Sequence, residues 1–384
     1  MNRLLTQPLP TLGLYIHIPW CIQKCPYCDF NSHAMKEPLP ETVYIDTLLN
    51  DLQRDIEEWE INRPIETIFI GGGTPSLFSA QAMERLLNGI QKQALLAENL
   101  EITLEANPGT FESDKFADFR RIGINRLSIG IQSFNDRHLK TLGRVHNSAE
   151  AMRAVEMAFR SGFDNINLDL MFGLPGQSLH EAIEDVETAV KLSPAHISYY
   201  QLTLEPNTWF HKFPPSLPQD EDIYRFQQAG QRLLSEQGYR QYEISAYAQQ
   251  GKICRHNQNY WRFGDYLGIG AGAHGKISLA LPDNIIRTMK SKRPEHYLQQ
   301  QDSKSSVKID IAQLPLEFVM NHLRLKSGFT AKHYRAVTGL GMETLEPALS
   351  ECVNAGLLIY DNEIYRCSER GWNFLDSILE KFIA

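Results

Sequence analysis

The chain has 384 residues, 42% of them hydrophobic, and a formal net charge of −8 at pH 7, which allows one large α/β barrel or two to three ordinary domains. The acidic balance argues against nucleic acid as a partner, because phosphate backbones are bound by clustered Lys and Arg. No stretch approaches the roughly 18 consecutive apolar residues of a membrane span, and the first residues resemble neither a signal nor a transit peptide, so we expect a cytoplasmic protein.

Six β-rich runs in the first 240 residues are each followed by a helical pattern. In chain order they are LGLYIHI, which ends at Ile18, then TIFIGGG, EITLEANP, RLSIGIQSF, NINLDLMFG and HISYYQLTL. Strands that alternate with helices predict a parallel sheet, either an open doubly wound sheet or a partial barrel. Polar and glycine residues cluster where these strands end, the face at which barrel enzymes collect their chemistry. We therefore expect an α/β fold with a partial (β/α)6 TIM-like barrel over residues 1–240.

The pattern changes beyond residue 240. We interpret residues 241–300 as a barrel extension, in which YEISAYAQ predicts one more strand and CRHNQNYWRFGDYLGIGAGAHGK is too irregular and glycine-rich for a helix. The polar stretch 290–306 predicts a surface helix that runs into a linker. Residues 309–384 show three helical patterns and a hairpin signal at Asp361 and Asn362. They predict a mainly helical, winged-helix-like C-terminal domain that caps the barrel.

Three of the six cysteines, Cys21, Cys25 and Cys28, form a C-x3-C-x2-C loop directly after the first strand. The other three are isolated, which does not resemble a disulfide framework, so we expect reduced thiols or a metal site. Structural zinc commonly takes four ligands from two separated pairs, and no second cysteine pair exists here, although a nearby histidine could complete a set. Three thiolates suit a 4Fe–4S cluster with one open iron, shielded from water by the neighbouring Tyr27 and Phe30.

This loop and the motifs after it resemble the radical S-adenosylmethionine (SAM) enzymes. In that family the open iron of a 4Fe–4S cluster binds SAM, and electron transfer cleaves SAM to a radical. GGGTP, at 71–75, resembles the glycine motif at which the backbone approaches the methionine part of SAM; an ordinary βα turn would not need three glycines. The resemblance implies these cofactor-binding residues: Tyr15, Tyr27, Gly72, Gly73, Thr74, Glu105, Gln132, Arg144, Asp169 and Thr203.

Within this family the chain resembles the HemN-like branch, which includes coproporphyrinogen dehydrogenases and HemW-type heme chaperones. The dehydrogenases extend the cysteine motif to C-x3-C-x2-C-x-C, whereas Phe30 holds the last position here, and only about ten residues precede the first strand, where the dehydrogenases have an N-terminal arm. HNQNYW, at 256–261, matches the HNxxYW motif of the chaperones. Imidazole can bind heme iron, and aromatic rings can pack on the macrocycle. The resemblance implies these heme-binding residues: His256, Asn257, Tyr260 and Trp261.

We expect a heme chaperone that carries a 4Fe–4S cluster and SAM and delivers heme to respiratory heme proteins. The alternatives are an oxygen-independent coproporphyrinogen III dehydrogenase, which Phe30 argues against, and a structural or regulatory binder without a cluster. Cys254 is a second candidate iron ligand, and a polar loop with two core aromatics is the structural alternative for HNxxYW. Delivery of heme to a membrane-bound recipient would involve transient association of the protein with the membrane, since the sequence shows no evident amphipathic anchor. The oligomeric state stays open.

One further motif does not predict a dinucleotide site. GAGAHG, at 270–275, satisfies G-x-G-x-x-G, but no helix is expected after it and it does not lie in an N-terminal βαβ unit. We interpret it as a loop that closes the barrel mouth near the substrate or heme pocket.

Overall fold

The structure is a computed structural model that describes residues 9–35, 38–109, 114–299 and 304–383. The expectation that the first residues form neither a signal nor a transit peptide concerns mainly residues 1–8, which lie outside the described residues. The strands are β1 (Leu12–Ile18), β2 (Trp20–Cys21), β3 (His33–Ala34), β4 (Ile65–Gly72), β5 (Leu96–Ala106), β6 (Arg126–Gln132), β7 (Ile166–Phe172), β8 (His196–Gln201), β9 (Arg240–Gln241), β10 (Ala246–Ala248), β11 (Asp265–Ile269), β12 (His274–Ala280), β13 (Asn284–Lys290), β14 (Lys304–Lys308), β15 (Phe329–Thr330), β16 (Leu358–Asp361) and β17 (Ile364–Cys367). The α-helices are α1 (Glu41–Glu58), α2 (Ala80–Gln93), α3 (Phe116–Arg121), α4 (Asp136–Thr141), α5 (Ser148–Arg160), α6 (Leu179–Lys191), α7 (Trp209–Lys212), α8 (Asp220–Glu236), α9 (Arg255–Trp261), α10 (Pro294–Leu298), α11 (Leu314–His322), α12 (Ala331–Thr338), α13 (Ala348–Asn354), α14 (Glu369–Asn373) and α15 (Leu375–Leu379).

The predicted parallel strands lie side by side in one large sheet. Its order is β14-β13-β12-β11-β1-β4-β5-β6-β7-β8-β10-β9, and the pairs from β1 through β8 are all parallel. The six predicted β/α units and the partial barrel are therefore confirmed. On one side β11 continues the sheet in parallel and β12 to β14 follow as antiparallel strands; on the other side β10 and β9 are antiparallel. The extension thus shares the barrel's sheet.

The first strand illustrates why the parallel strands form. Leu14, Ile16 and Ile18 are completely buried in the main core, while the alternating Tyr15 and His17 line a cavity. Side chains of a strand alternate between its faces, and strands of a parallel sheet are covered on both. The same alternation therefore builds the core and presents polar groups to the barrel interior.

The prediction that residues 254–276 are too irregular for a helix is wrong, because α9 spans Arg255–Trp261 and contains the HNxxYW motif. The side chain of Glu101, on β5, accepts hydrogen bonds from the backbone N–H groups of Arg255 at 3.2 Å and His256 at 3.1 Å. The first N–H groups of a helix have no partner within it. A carboxylate on a distant strand supplies that partner, which no local pattern indicates.

The predicted linker also differs, since Lys304–Lys308 forms the edge strand β14, paired with β13. In the C-terminal domain, β16 and β17 form the predicted hairpin, with Asn362 and Glu363 at φ of 49° and 64° in its turn. Together with β15 they make a three-stranded sheet beside α11 to α13, as the winged-helix-like prediction requires. Among the described helices, none combines the length and apolar character needed to cross a bilayer.

Candidate functional site

The cysteine loop is held at both of its ends. Trp20 and Cys21 form β2, which pairs with His33 and Ala34 of β3, and the backbone N–H of Thr74 donates to the carbonyl of Trp20 at 2.7 Å. Cys21, like the other two cysteines of the loop, is half-buried and in no disulfide. The strand pairing and the hydrogen bond therefore fix a loop with three free thiols at the carboxyl end of β1.

These thiols line a cavity of about 450 Å³, which we call the cluster cavity. Nearly all residues predicted to bind SAM line it too. Within the described chain, no three His, Cys, Asp or Glu side chains gather closely enough to hold a single metal ion; the thiols instead line a larger space, which suits a cluster whose irons are separate points of attachment. The predicted residues in its lining are Tyr27, Gly72, Gly73, Thr74, Glu105, Gln132, Arg144, Asp169 and Thr203.

Arg144 brings a half-buried positive charge to the cysteines. Its Nη1 lies 3.7 Å from Sγ of Cys25, while its Nη2 donates to Oδ1 of Asn107 at 2.6 Å and to the carbonyl of Gly130 at 2.7 Å. A guanidinium at this position complements the negative charge that a thiolate-bound cluster would carry. The two other hydrogen bonds fix the guanidinium in place.

Two half-buried carboxyl groups face the same cavity. Burial and then the charge of Asp169 raise the pKa of Glu105 to about 8, and burial raises the pKa of Asp169. Oε2 of Glu105 accepts a hydrogen bond from the backbone N–H of Gly72 at 3.0 Å. Adjacent buried carboxyls resist simultaneous ionisation unless a cation joins them. The cavity is thus complementary to a positively charged ligand, and the sulfonium and amino groups of SAM fit that requirement.

The glycine motif permits a close approach of two backbones. A Cβ atom on Gly73 would collide with the backbone of Trp20, so the turn after β4 can lie against the cysteine loop only without a side chain. At the end of β6, Gln132 has a φ of 71° and its Oε1 accepts a hydrogen bond from the Tyr200 hydroxyl at 2.9 Å. Left-handed backbone at a non-glycine residue is costly and concentrates at functional sites. Gly73 is therefore restricted in side-chain size and Gln132 in backbone conformation, and both are residues that the sequence predicts to bind SAM.

Phe30 does not shield the cysteines as expected. Its side chain is 58% exposed, and it lines both the cluster cavity and a neighbouring cavity. Tyr27 does pack inward, where burial raises its pKa. The position at which the dehydrogenases carry a fourth cysteine is therefore occupied here by an exposed ring between two cavities.

His256 is not available to a heme iron in this structure. Its side chain is 1% exposed, its Nδ1 is 2.8 Å from the Thr67 hydroxyl, and its Nε2 is 2.8 Å from the Tyr260 hydroxyl. The ring also stacks on Phe69 with a centroid distance of 5.2 Å. Burial and the charge of Arg126 lower the pKa of His256 to about 3, so the ring is neutral and both nitrogens are engaged. The expectation that His256 ligates heme is thus disfavoured by packing.

The neighbouring cavity, which we call the side cavity, has a volume of about 740 Å³. Tyr260 and Trp261 of the motif line it, whereas Asn257 does not, and Tyr15 lies here rather than in the cluster cavity. Gly72 and Glu105 border both cavities. Sequence reasoning missed several of its polar residues, although His33 ends the cysteine loop and His274 lies within GAGAHG. The missed residues are His33, Lys24, His274, Arg287 and Lys292.

Comparisons with known proteins agree with this geometry. The model of the radical SAM superfamily matches residues 15–189, and that of the HemN C-terminal domain matches 310–374. The chain is 49% identical over 377 residues to the heme chaperone HemW of Escherichia coli (strain K12), which covers 98% of this chain and 99% of that protein. It is also 49% identical over 382 residues to the heme chaperone HemW of Haemophilus influenzae, with the same coverage.

A solved structure shares the fold. Coproporphyrinogen III oxidase (HemN) from Escherichia coli, a radical SAM enzyme, superimposes with a TM-score of 0.81 over 98% of this chain and 91% of that one, at 21% identity. At this identity the likeness establishes the α/β architecture with its C-terminal domain.

Proposed function

Since this chain belongs to the heme chaperone HemW family of the radical SAM superfamily, we propose that it binds heme and delivers it to respiratory heme proteins. It carries a 4Fe–4S cluster and SAM and acts in the cytoplasm. The observation that carries the proposal is the 49% identity to a heme chaperone over 98% of the chain. The two adjoining cavities support it, because they offer separate space for a cofactor and for a cargo.

The cluster cavity is the proposed cofactor site. Cys21, Cys25 and Cys28 would hold the cluster through three thiolates. With SAM bound beside it, the cluster would supply one-electron chemistry. The chain itself contributes charge and space. Glu105 and Asp169 face the cationic part of SAM, and the glycine turn lets SAM approach the backbone.

The side cavity is the proposed heme site. Its volume of about 740 Å³ lies within the roughly 300–1,000 Å³ of small-molecule pockets. Tyr260 and Trp261 contribute flat apolar surface to its wall, and the ring of Tyr260 packs on Tyr266 with a centroid distance of 4.5 Å. In this proposal the HNxxYW motif builds the wall, and its histidine anchors the helix that carries the two aromatic rings.

One anaerobic preparation of the full chain, reconstituted with iron, sulfide and SAM, tests this function against its alternative. We expect saturable hemin binding with a Soret band in difference spectra, and no vinyl product from coproporphyrinogen III. Absence of hemin binding would refute the chaperone proposal. Formation of the vinyl product would instead support the dehydrogenase, whose fold the chain shares.

Delivery requires its own measurement. Protein loaded with hemin and separated from free hemin is mixed with a heme-free respiratory heme protein, in detergent or in vesicles. We expect the Soret band to appear on the recipient after separation, faster than from serum albumin loaded with the same amount of hemin. Equal rates from both donors would indicate passive release.

A further inference from the structure

The side cavity contains a histidine that is free to bind a ligand. His274, the first residue of β12, is exposed and lines the cavity. In the part of the chain that the structure describes, neither of its ring nitrogens has a hydrogen bond or ion pair. His256 is the opposite case, with both nitrogens engaged at 2.8 Å. Of these two histidines, His274 is the one whose imidazole can reach a metal without breaking existing contacts.

The charges around His274 suit an anionic metal complex. The positive charges of Lys292 and Arg287 lie close enough to His274 to act on it, and a neutral imidazole is the form that binds metals. Arg287 is already paired with Glu317 and bonded to the Tyr266 hydroxyl. Lys292 forms no ion pair with any described residue. Heme presents an iron and two carboxylates. The imidazole of His274 can bind the iron, and the ammonium group of Lys292 can pair with a carboxylate.

The loop before His274 is fastened to the cysteine loop. Nδ2 of Asn31 donates to the carbonyls of Ala271 at 2.9 Å and Lys292 at 2.8 Å. Gly270, at a φ of 104°, lies so close to the carbonyl of His17 that a Cβ atom would collide with it. His274 and Lys292 are therefore held in fixed positions relative to the segment that carries the three cysteines. A ligand bound here would lie beside the cluster cavity.

We propose that the side cavity binds heme with His274 as an axial iron ligand and Lys292 as a partner of a propionate. This inference rests on the proposed heme-binding function and assigns the iron ligand outside the HNxxYW motif. Aromatic rings of Tyr260, Trp261 and Tyr266 then face the macrocycle. His256 keeps its structural contacts in the bound state.

Hemin titration of the full-length reconstituted protein tests the ligand. His274→Ala is expected to shift the Soret band and to weaken hemin affinity by at least about tenfold, since even the hydrogen-bond partners of metal ligands typically contribute roughly 10–100-fold. Added imidazole is expected to restore the wild-type spectrum, which a merely structural role would not do. His180→Ala, a change at an exposed histidine on α6, is the matched control and is expected to bind as wild type.

A second pair of variants tests the propionate contact. Lys292→Gln is expected to weaken hemin affinity several-fold without moving the Soret band, whereas Lys191→Gln, at an exposed lysine on α6, is expected to leave it unchanged. Wild-type affinity in Lys292→Gln would overturn that contact.

The outcomes for His274 separate this inference from the function beneath it. If wild-type protein binds hemin and His274→Ala binds it identically, the ligand assignment is overturned and the heme-binding function stands. A shifted band that imidazole does not restore would also overturn the assignment. If the wild-type protein fails to bind hemin, the proposed function falls and the assignment with it.

Discussion

The half-buried carboxyl of Glu105 should make the chain less stable as the pH rises, and Glu105→Gln should remove that effect. Burial and the neighbouring Asp169 raise the pKa of Glu105 from 4.5 to about 8. At about 1.4 kcal/mol per pH unit, this shift corresponds to at most about 5 kcal/mol of unfolding free energy. The side chain is half-buried and borders both cavities, so solvent screening makes this figure an upper limit.

The sign follows from where the proton is bound. Between the unfolded pKa of 4.5 and the folded pKa of about 8, the folded chain binds more protons than the unfolded chain, so the free energy of unfolding falls as pH rises. Below this window both states are protonated, and above it the full destabilisation is present. The stability gained by Glu105→Gln should therefore be near zero at the acid end, grow through the window and level off above it.

Urea denaturation of the SAM-free protein at a series of pH values measures this gain. Glu98→Gln is the matched control, because Glu98 lies on the same strand, β5, with its side chain exposed, and we expect its effect to be small at every pH. A Glu105→Gln gain that does not change with pH would refute the reasoning. The same variant should bind SAM more weakly, because a glutamine cannot ionise to match the positive charge of the ligand.

Two further substitutions test the cluster and the attachment of the barrel extension. Cys25→Ala should sharply lower the iron and sulfide bound after anaerobic reconstitution, whereas Cys367→Ala, in the C-terminal domain, should not; equal contents in both variants would contradict the assignment. Lys290→Met should lower the free energy of unfolding in urea by about 3–5 kcal/mol, because buried Asp51 and Asp55 lose an ammonium group at 2.6 and 2.9 Å.

An exposed lysine provides the control for Lys290. Lys191 lies on α6, with its Nζ 4.0 Å from a carboxylate oxygen of Glu187 and a side chain that is 77% exposed. Exposed ion pairs contribute little, so Lys191→Met should change the unfolding free energy by less than about 0.5 kcal/mol. Similar losses in both lysine variants would show that the buried network is not responsible.

The sequence by itself determined the barrel and the cluster cavity. Cys21, Glu105, Gln132 and Asp169 each lie at or near the carboxyl end of a predicted strand, and parallel strands bring those ends to one edge of a sheet. Alternating β and α periodicity was enough to predict that topology, and topology was enough to bring these residues together. The spacing of the cysteines needed no tertiary information either, because all three lie in one short loop.

Only the tertiary structure decided which residues of the second cavity can reach a ligand. His256 is enclosed by contacts with Thr67 and Glu101, which are 189 and 155 residues away along the chain, so its motif carries no information about its availability. His274 became a candidate because a glycine loop sets it at the rim of the side cavity. Whether a side chain can bind a ligand depends on what packs against it, and distant segments of the chain supply that packing.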